Sequence, residues 1–135
     1  MAPQKNRNRT TNRVKSKMDT VVLVHGLFGS RLAMWPLARR LRNTGYDVWN
    51  WRYRSIGKRI EDHVDLLGRD LARLNRQRLP FHLVTHSMGG VIVRGVLETW
   101  KFDQLSRVLM MAPPHRGSHM ARKLAPWFGL SLIHI

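Results

Sequence analysis

The run Phe-His-Leu-Val-Thr-His-Ser-Met-Gly-Gly-Val-Ile-Val at residues 81–93 restricts the fold more than any other part of the chain. Residues 81–85 form an apolar stretch of strand length, and residues 91–100 carry apolar positions at helical spacing. The chain therefore reverses within a few residues, with Ser87 at the apex. A serine on so sharp a strand-to-helix turn is held in a strained conformation that pushes its hydroxyl clear of the backbone. Met88 opens the helix, so its N–H has no carbonyl one turn back and is available to developing negative charge. Gly89 and Gly90 remove the side chains that would hold helix and strand apart. A turn of this composition also suits a plain helix cap, in which the serine hydroxyl bonds a first-turn amide. The strand before it and the helix after it favour a serine nucleophile. Thr85 stands where the usual G-x-S-x-G turn has its first glycine.

The rest of the chain alternates strand and helix around this turn. Thr20–Val24 is a continuous β-branched and leucine run, as in a strand buried on both faces of a parallel sheet. It leads into His25-Gly26-Leu27-Phe28-Gly29-Ser30, whose glycines allow a tight turn with exposed amides. Trp35, Leu37, Ala38 and Leu41 predict a helix with Pro36 in its first turn and Gly45 just past its end. Residues 46–53 alternate and are aromatic, which predicts a strand. Ile60, Val64, Leu67, Leu71 and Leu74 predict an amphipathic helix over 60–76. Residues 101–106 read as a connector and 108–112 as a further buried strand. An extended Pro-Pro-His-Arg-Gly-Ser loop follows, and residues 120–124 open another helix. The order β-α-β-α-β-α-β implies an α/β fold, a parallel sheet with helices on both faces. Ligands of such sheets bind at the carboxyl ends of the strands, where His25, Ser87 and His115 all fall.

Charge is the unusual part of the composition. With 24 Lys and Arg against 8 Asp and Glu, the net charge is +16. Residues 1–17 hold six of the basic residues and no acid. They are nearly free of apolar side chains, and the expectation is a disordered basic tail. That tail offers weak contact with anionic surfaces, but nothing in it interleaves aromatic residues as base stacking requires, so no specific nucleic-acid partner is expected. Met18 is an alternative start. The absence of cysteine excludes disulfides and thiolate metal sites. With no signal peptide and no apolar run long enough to cross a bilayer, the expected location is cytoplasmic. The histidine pairs His82/His86 and His115/His119 have four-residue spacing but no third ligand, so neither a metal site nor a cofactor is expected. His63, on a charged helix, reads as a surface residue.

Three motifs make the chain resemble the α/β-hydrolase superfamily, and within it the bacterial lipase and esterase type. They are His25-Gly26-Leu27-Phe28-Gly29-Ser30, Thr85-His86-Ser87-Met88-Gly89-Gly90, and Ala112-Pro113-Pro114-His115-Arg116-Gly117-Ser118. The resemblance covers residues 20–125 and implies an N-terminal part of a hydrolase domain, here residues 18–129. It implies that Ser87 is the nucleophile, that the N–H groups of Leu27 and Met88 form the oxyanion hole, and that His25, Gly26, His86 and Gly89 support them. The implied substrate is a small-molecule or lipid ester. Triads of this family run Ser, then Asp or Glu, then His. After Ser87 the acids are Glu98, in the helix, and Asp103, before the next strand, and neither suits the role. His115 is at the right edge of the sheet, but the family uses that loop structurally. Residues 130–135 read as a read-through scar and are set aside. The expectation is a serine ester hydrolase that is inactive as this fragment. The alternatives are an acyltransferase or lipid deacylase on the same scaffold, or a non-catalytic basic binding module.

Overall fold

A computed structural model of the chain describes residues 18–27, 29 and 31–111. The basic tail, Phe28, Ser30, the Pro-Pro-His-Arg-Gly-Ser loop with His115, the helix expected at 120–124 and residues 130–135 lie outside the described residues. Seven elements follow one another: β1 (Thr20–Val24), α1 (Trp35–Asn43), β2 (Asp47–Asn50), α2 (Ile60–Asn75), β3 (Phe81–His86), α3 (Met88–Thr99) and β4 (Leu105–Met111). The four strands form one parallel sheet in the order β2-β1-β3-β4. This is the α/β arrangement with a parallel sheet expected from the alternation.

Side-chain alternation along the two central strands divides the core in two. In β1, Val22 and Val24 join Phe81 and Leu83 of β3 in one apolar cluster with α2 and α3. Val21 and Leu23 face the other way, packing with Val84, Val48 and Ala38 of α1. Every residue of β1 is buried, because helices cover both faces of the sheet. Asp62, in the first turn of α2, accepts a hydrogen bond from the Arg59 N–H (3.2 Å) and places negative charge at the helix start. Gly45, at φ 97°, ends α1 with its N–H on the Arg42 carbonyl (3.1 Å).

Three expectations need correction. The second strand is shorter than residues 46–53: only Asp47–Asn50 pair with β1, and the chain leaves the sheet at Trp51. Trp51 and Tyr53 are buried all the same, so the aromatic alternation recorded burial rather than pairing. The last strand starts three residues earlier than 108 and is not buried: residues 105–111 run beside β3 at the edge of the sheet, with 106–109 exposed. The third concerns His63. It is 1% exposed, lying beneath Tyr53 on the inner face of α2 between Ile60 and Leu67. The helical face that buries Ile60, Val64 and Leu67 also carries position 63.

Leu66 and Leu67 separate burial from composition, since Leu67 is fully buried while its neighbour is 41% exposed. Leu67→Ala is expected to lower the unfolding free energy by about 2–5 kcal/mol. Leu66→Ala should cost less than about 1 kcal/mol. Urea midpoints at an unchanged m-value read both.

Candidate active site

The site is built where two central strands end side by side. In the parallel register Val24 pairs with Thr85, so the residues that follow, His25 and Gly26, run out beside His86 and Ser87. A Cβ added to Gly26 would lie 2.9 Å from Cβ of Ser87 and 3.1 Å from the His86 carbonyl oxygen. Any larger residue there would force the two turns apart.

Ser87 has φ 51° and ψ −122°, a left-handed conformation that side chains rarely adopt. It is reached because α3 begins at the very next residue. The helix starts against the end of β1, and a Cβ at Gly89 would collide with the Val24 carbonyl and stand 2.8 Å from that of His25. The Ser87 N–H is held by the Met111 carbonyl of β4 (3.0 Å), and its own carbonyl accepts from the Gly90 N–H (2.9 Å). Its hydroxyl makes no capping bond to the helix, which removes the plain-cap reading of the turn. Ser87 is half-buried, His86 exposed and Met88 buried. Met88 is the first residue of α3, so its N–H has no partner within the helix.

The turn after β1 is held just as closely. Gly26 and Gly29 are bridged by an N–H···O bond from Gly29 to the Gly26 carbonyl (3.1 Å). His25 is 2% exposed, and its Nδ1 lies 2.9 Å from that same carbonyl. A carbonyl only accepts, so Nδ1 carries the proton. The His25 ring stacks on Tyr53 with centroids 4.2 Å apart.

His63 is the residue that sequence reasoning misplaced. Neither ring nitrogen has a hydrogen-bond partner among the described residues. Burial lowers its pKa from the ordinary 6.5, helped by the Lys58 charge and by His25 and opposed by Asp62. The available signal was its position on the apolar stripe, one residue before Val64.

Several other residues stand apart from the site. Glu98 is exposed on α3, and Asp103 lies exposed in the connector that enters β4, at the opposite edge of the sheet. No described residue therefore supplies Ser87 with a triad carboxylate. His82 bonds Asp19 (3.2 Å) rather than joining His86. The two histidines sit on a strand, where four residues span about 13 Å. No group of three or more His, Asp or Glu side chains converges among the described residues. A depression of about 430 Å³ lined by Asn75, Arg76, Arg78, Asp103 and Gln104 also lies at the amino edge, away from Ser87.

Two outcomes follow from this geometry. Ser87→Gly relieves the positive φ and is expected to raise stability by about 1 kcal/mol in urea denaturation. Ser87→Ala keeps its Cβ and should give no such gain. The second outcome concerns His63, whose folded-state pKa lies below the unfolded value of 6.5. As pH falls through 6.5 the unfolded chain takes up the proton first, so stability drops until the lower folded pKa is passed. Between pH 7.5 and pH 5, wild type should therefore lose more stability than His63→Phe, and equal losses would contradict the burial argument.

Comparison with known proteins agrees with this geometry. The sequence profile described as the alpha/beta hydrolase family matches residues 21–133. A search of curated protein sequences finds no match. Among solved structures, the chain is similar to the mature lipase BlEst2 of Bacillus licheniformis, with 27% identity and a TM-score of 0.69 over 84% of this chain and 49% of that one. It is also similar to the phospholipase PlaB of Legionella pneumophila, with 26% identity and a TM-score of 0.66 over 78% of this chain and 27% of that one. An extracellular alpha/beta-hydrolase from a Paenibacillus species shares the fold at 23% identity and a TM-score of 0.60, over 78% of this chain and 46% of that one. The chain thus spans about half the length of the mature lipase or less of these proteins. With the profile covering most of its length and a parallel sheet carrying a serine turn between β3 and α3, the chain belongs to the alpha/beta hydrolase family.

Proposed function

We propose that this chain carries the nucleophile and the oxyanion-binding turns of a serine hydrolase that cleaves carboxylic esters, lipid esters among them. The observation that carries the reading is Ser87 itself. It has a positive φ at the head of a buried helix, a hydroxyl unused by that helix, and the turn after β1 packed at its Cβ. A lipase and a phospholipase among the similar structures support an ester bond in a lipid as the substrate class.

In this reading the Ser87 Oγ attacks the ester carbonyl as its proton passes to a general base. The carbonyl oxygen becomes an oxyanion that accepts hydrogen bonds from the Leu27 and Met88 N–H groups. Collapse expels the alcohol, which leaves with a proton, and an acyl-enzyme remains on Ser87. Water then attacks the acyl carbon and releases the acid. Each oxyanion donor contributes about 3 kcal/mol of transition-state stabilisation. Gly26 and Gly89 let the two donor turns meet, while His25 and His86 flank them. Chain order in such triads places the carboxylate and the histidine after the nucleophile, so both are assigned to sequence beyond β4.

A fluorophosphonate probe and p-nitrophenyl acyl esters test the reading on this chain and on any longer gene product that contains it. Labelling should map to Ser87, and Ser87→Ala should lower ester turnover by at least about a thousandfold. Full turnover by a correctly folded Ser87→Ala protein refutes it. Product analysis with an added alcohol separates transfer from hydrolysis.

A further inference from the structure

Tyr53 lies beyond the end of β2 and is 8% exposed. Its ring is enclosed by three others: His25 stacked at 4.2 Å, Trp51 stacked at 4.9 Å and His63 edge-on at 4.8 Å. Its hydroxyl donates a 2.6 Å hydrogen bond to the backbone carbonyl of His25. That carbonyl is the one that also crowds Gly89 at the start of α3. One phenol therefore touches the backbone and the ring of His25, the residue that opens the turn after β1.

The consequence reaches Leu27 through a single peptide plane. The carbonyl of Gly26 and the N–H of Leu27 belong to the same planar trans unit and point in opposite directions. Two donors fix the carbonyl end, His25 Nδ1 (2.9 Å) and the Gly29 N–H (3.1 Å). The direction of the Leu27 N–H therefore depends on the His25–Gly26 peptide, whose carbonyl the Tyr53 hydroxyl holds, and on the His25 ring stacked against Tyr53. Burial pushes the Tyr53 phenol well above its ordinary pKa, so it stays protonated and a donor at neutral pH.

We propose that Tyr53 is a positioning residue for the oxyanion-binding turn, aligning the Leu27 N–H through the ring and carbonyl of His25. The proposal rests on the assignment of Leu27 as an oxyanion donor. Its positional part stands independently of that assignment. Tyr53 touches no reacting atom, and its effect is confined to how well the donor is aimed when charge develops. An interaction that matters only in the transition state lowers kcat rather than raising KM.

The test is Tyr53→Phe, which keeps the ring and deletes the hydroxyl, beside Trp51→Phe as a control in the same aromatic stack. Trp51 donates instead to Asp70 (2.9 Å), away from the turn. For Tyr53→Phe in a longer gene product that supplies the general base, kcat for a p-nitrophenyl ester should fall about tenfold with KM within about twofold. Affinity for a trifluoromethyl ketone transition-state analogue should fall by a similar factor. The Gly29 amide should exchange with solvent about tenfold faster while the amides of Val22 and Leu23 keep their protection. Trp51→Phe should lower the thermal midpoint and leave kcat and Gly29 exchange unchanged. Unchanged kcat and unchanged Gly29 exchange in Tyr53→Phe overturn the proposal, and so does a loss of thermal stability with analogue affinity intact. If Ser87→Ala keeps ester activity, the catalytic reading falls, and Gly29 exchange still decides whether Tyr53 holds the turn.

Discussion

The structure depends on how abruptly β3 gives way to α3. No loop residue separates the last strand residue, His86, from Ser87, and the helix begins at Met88. Such a reversal needs a backbone angle that serine adopts only under constraint, and the constraint comes from both sides. β4 holds the Ser87 N–H, while α3 leans its first turn against the carbonyls that end β1. A side chain at position 89 would break that contact. The strained serine and the bare glycine are thus two parts of one arrangement.

The energetics explain why it persists. A residue in a sparsely populated backbone region costs about 1–3 kcal/mol. Against that, α3 buries Val91, Ile92, Val93 and Val96 almost completely, and a buried aliphatic side chain contributes up to about 1.5–3 kcal/mol. Releasing the turn would swing the whole helix away from the sheet, so a small local cost is held in place by a large cooperative one.

Beneath the site, buried polar groups are arranged to hold backbone rather than to exchange protons with solvent. His25 and Tyr53 spend their donors on the turn after β1, and Trp51 spends its own on Asp70. His63 completes the aromatic cage but bonds nothing among the described residues. The charged side chains of the segment after β2 point away from this region. Arg52, Arg54, Lys58 and Arg59 are all exposed around the segment whose alternate residues Trp51, Tyr53 and Ser55 point inward. These cations therefore leave the aromatic interior beneath them apolar.

Apolar periodicity was enough to read the alternating elements, the parallel sheet and the turn at Ser87, because a strand buried on both faces and an amphipathic helix each leave a pattern in neighbouring residues. The same evidence misjudged residues 51–53 and His63. In both cases burial came from elements distant in sequence: Tyr53 is enclosed by His25 and His63, and its hydroxyl closes on a carbonyl 28 residues away. The closeness of Gly26 to Ser87 was also beyond local reading, since it depends on the register of two strands separated by 56 residues. Local sequence determined which segments are strands and helices and which serine sits at the bend, since those choices rest on propensity and side-chain spacing. Only the tertiary structure decided which backbone groups surround that serine and what holds them, because strand register and the packing of distant rings are properties of the assembled sheet.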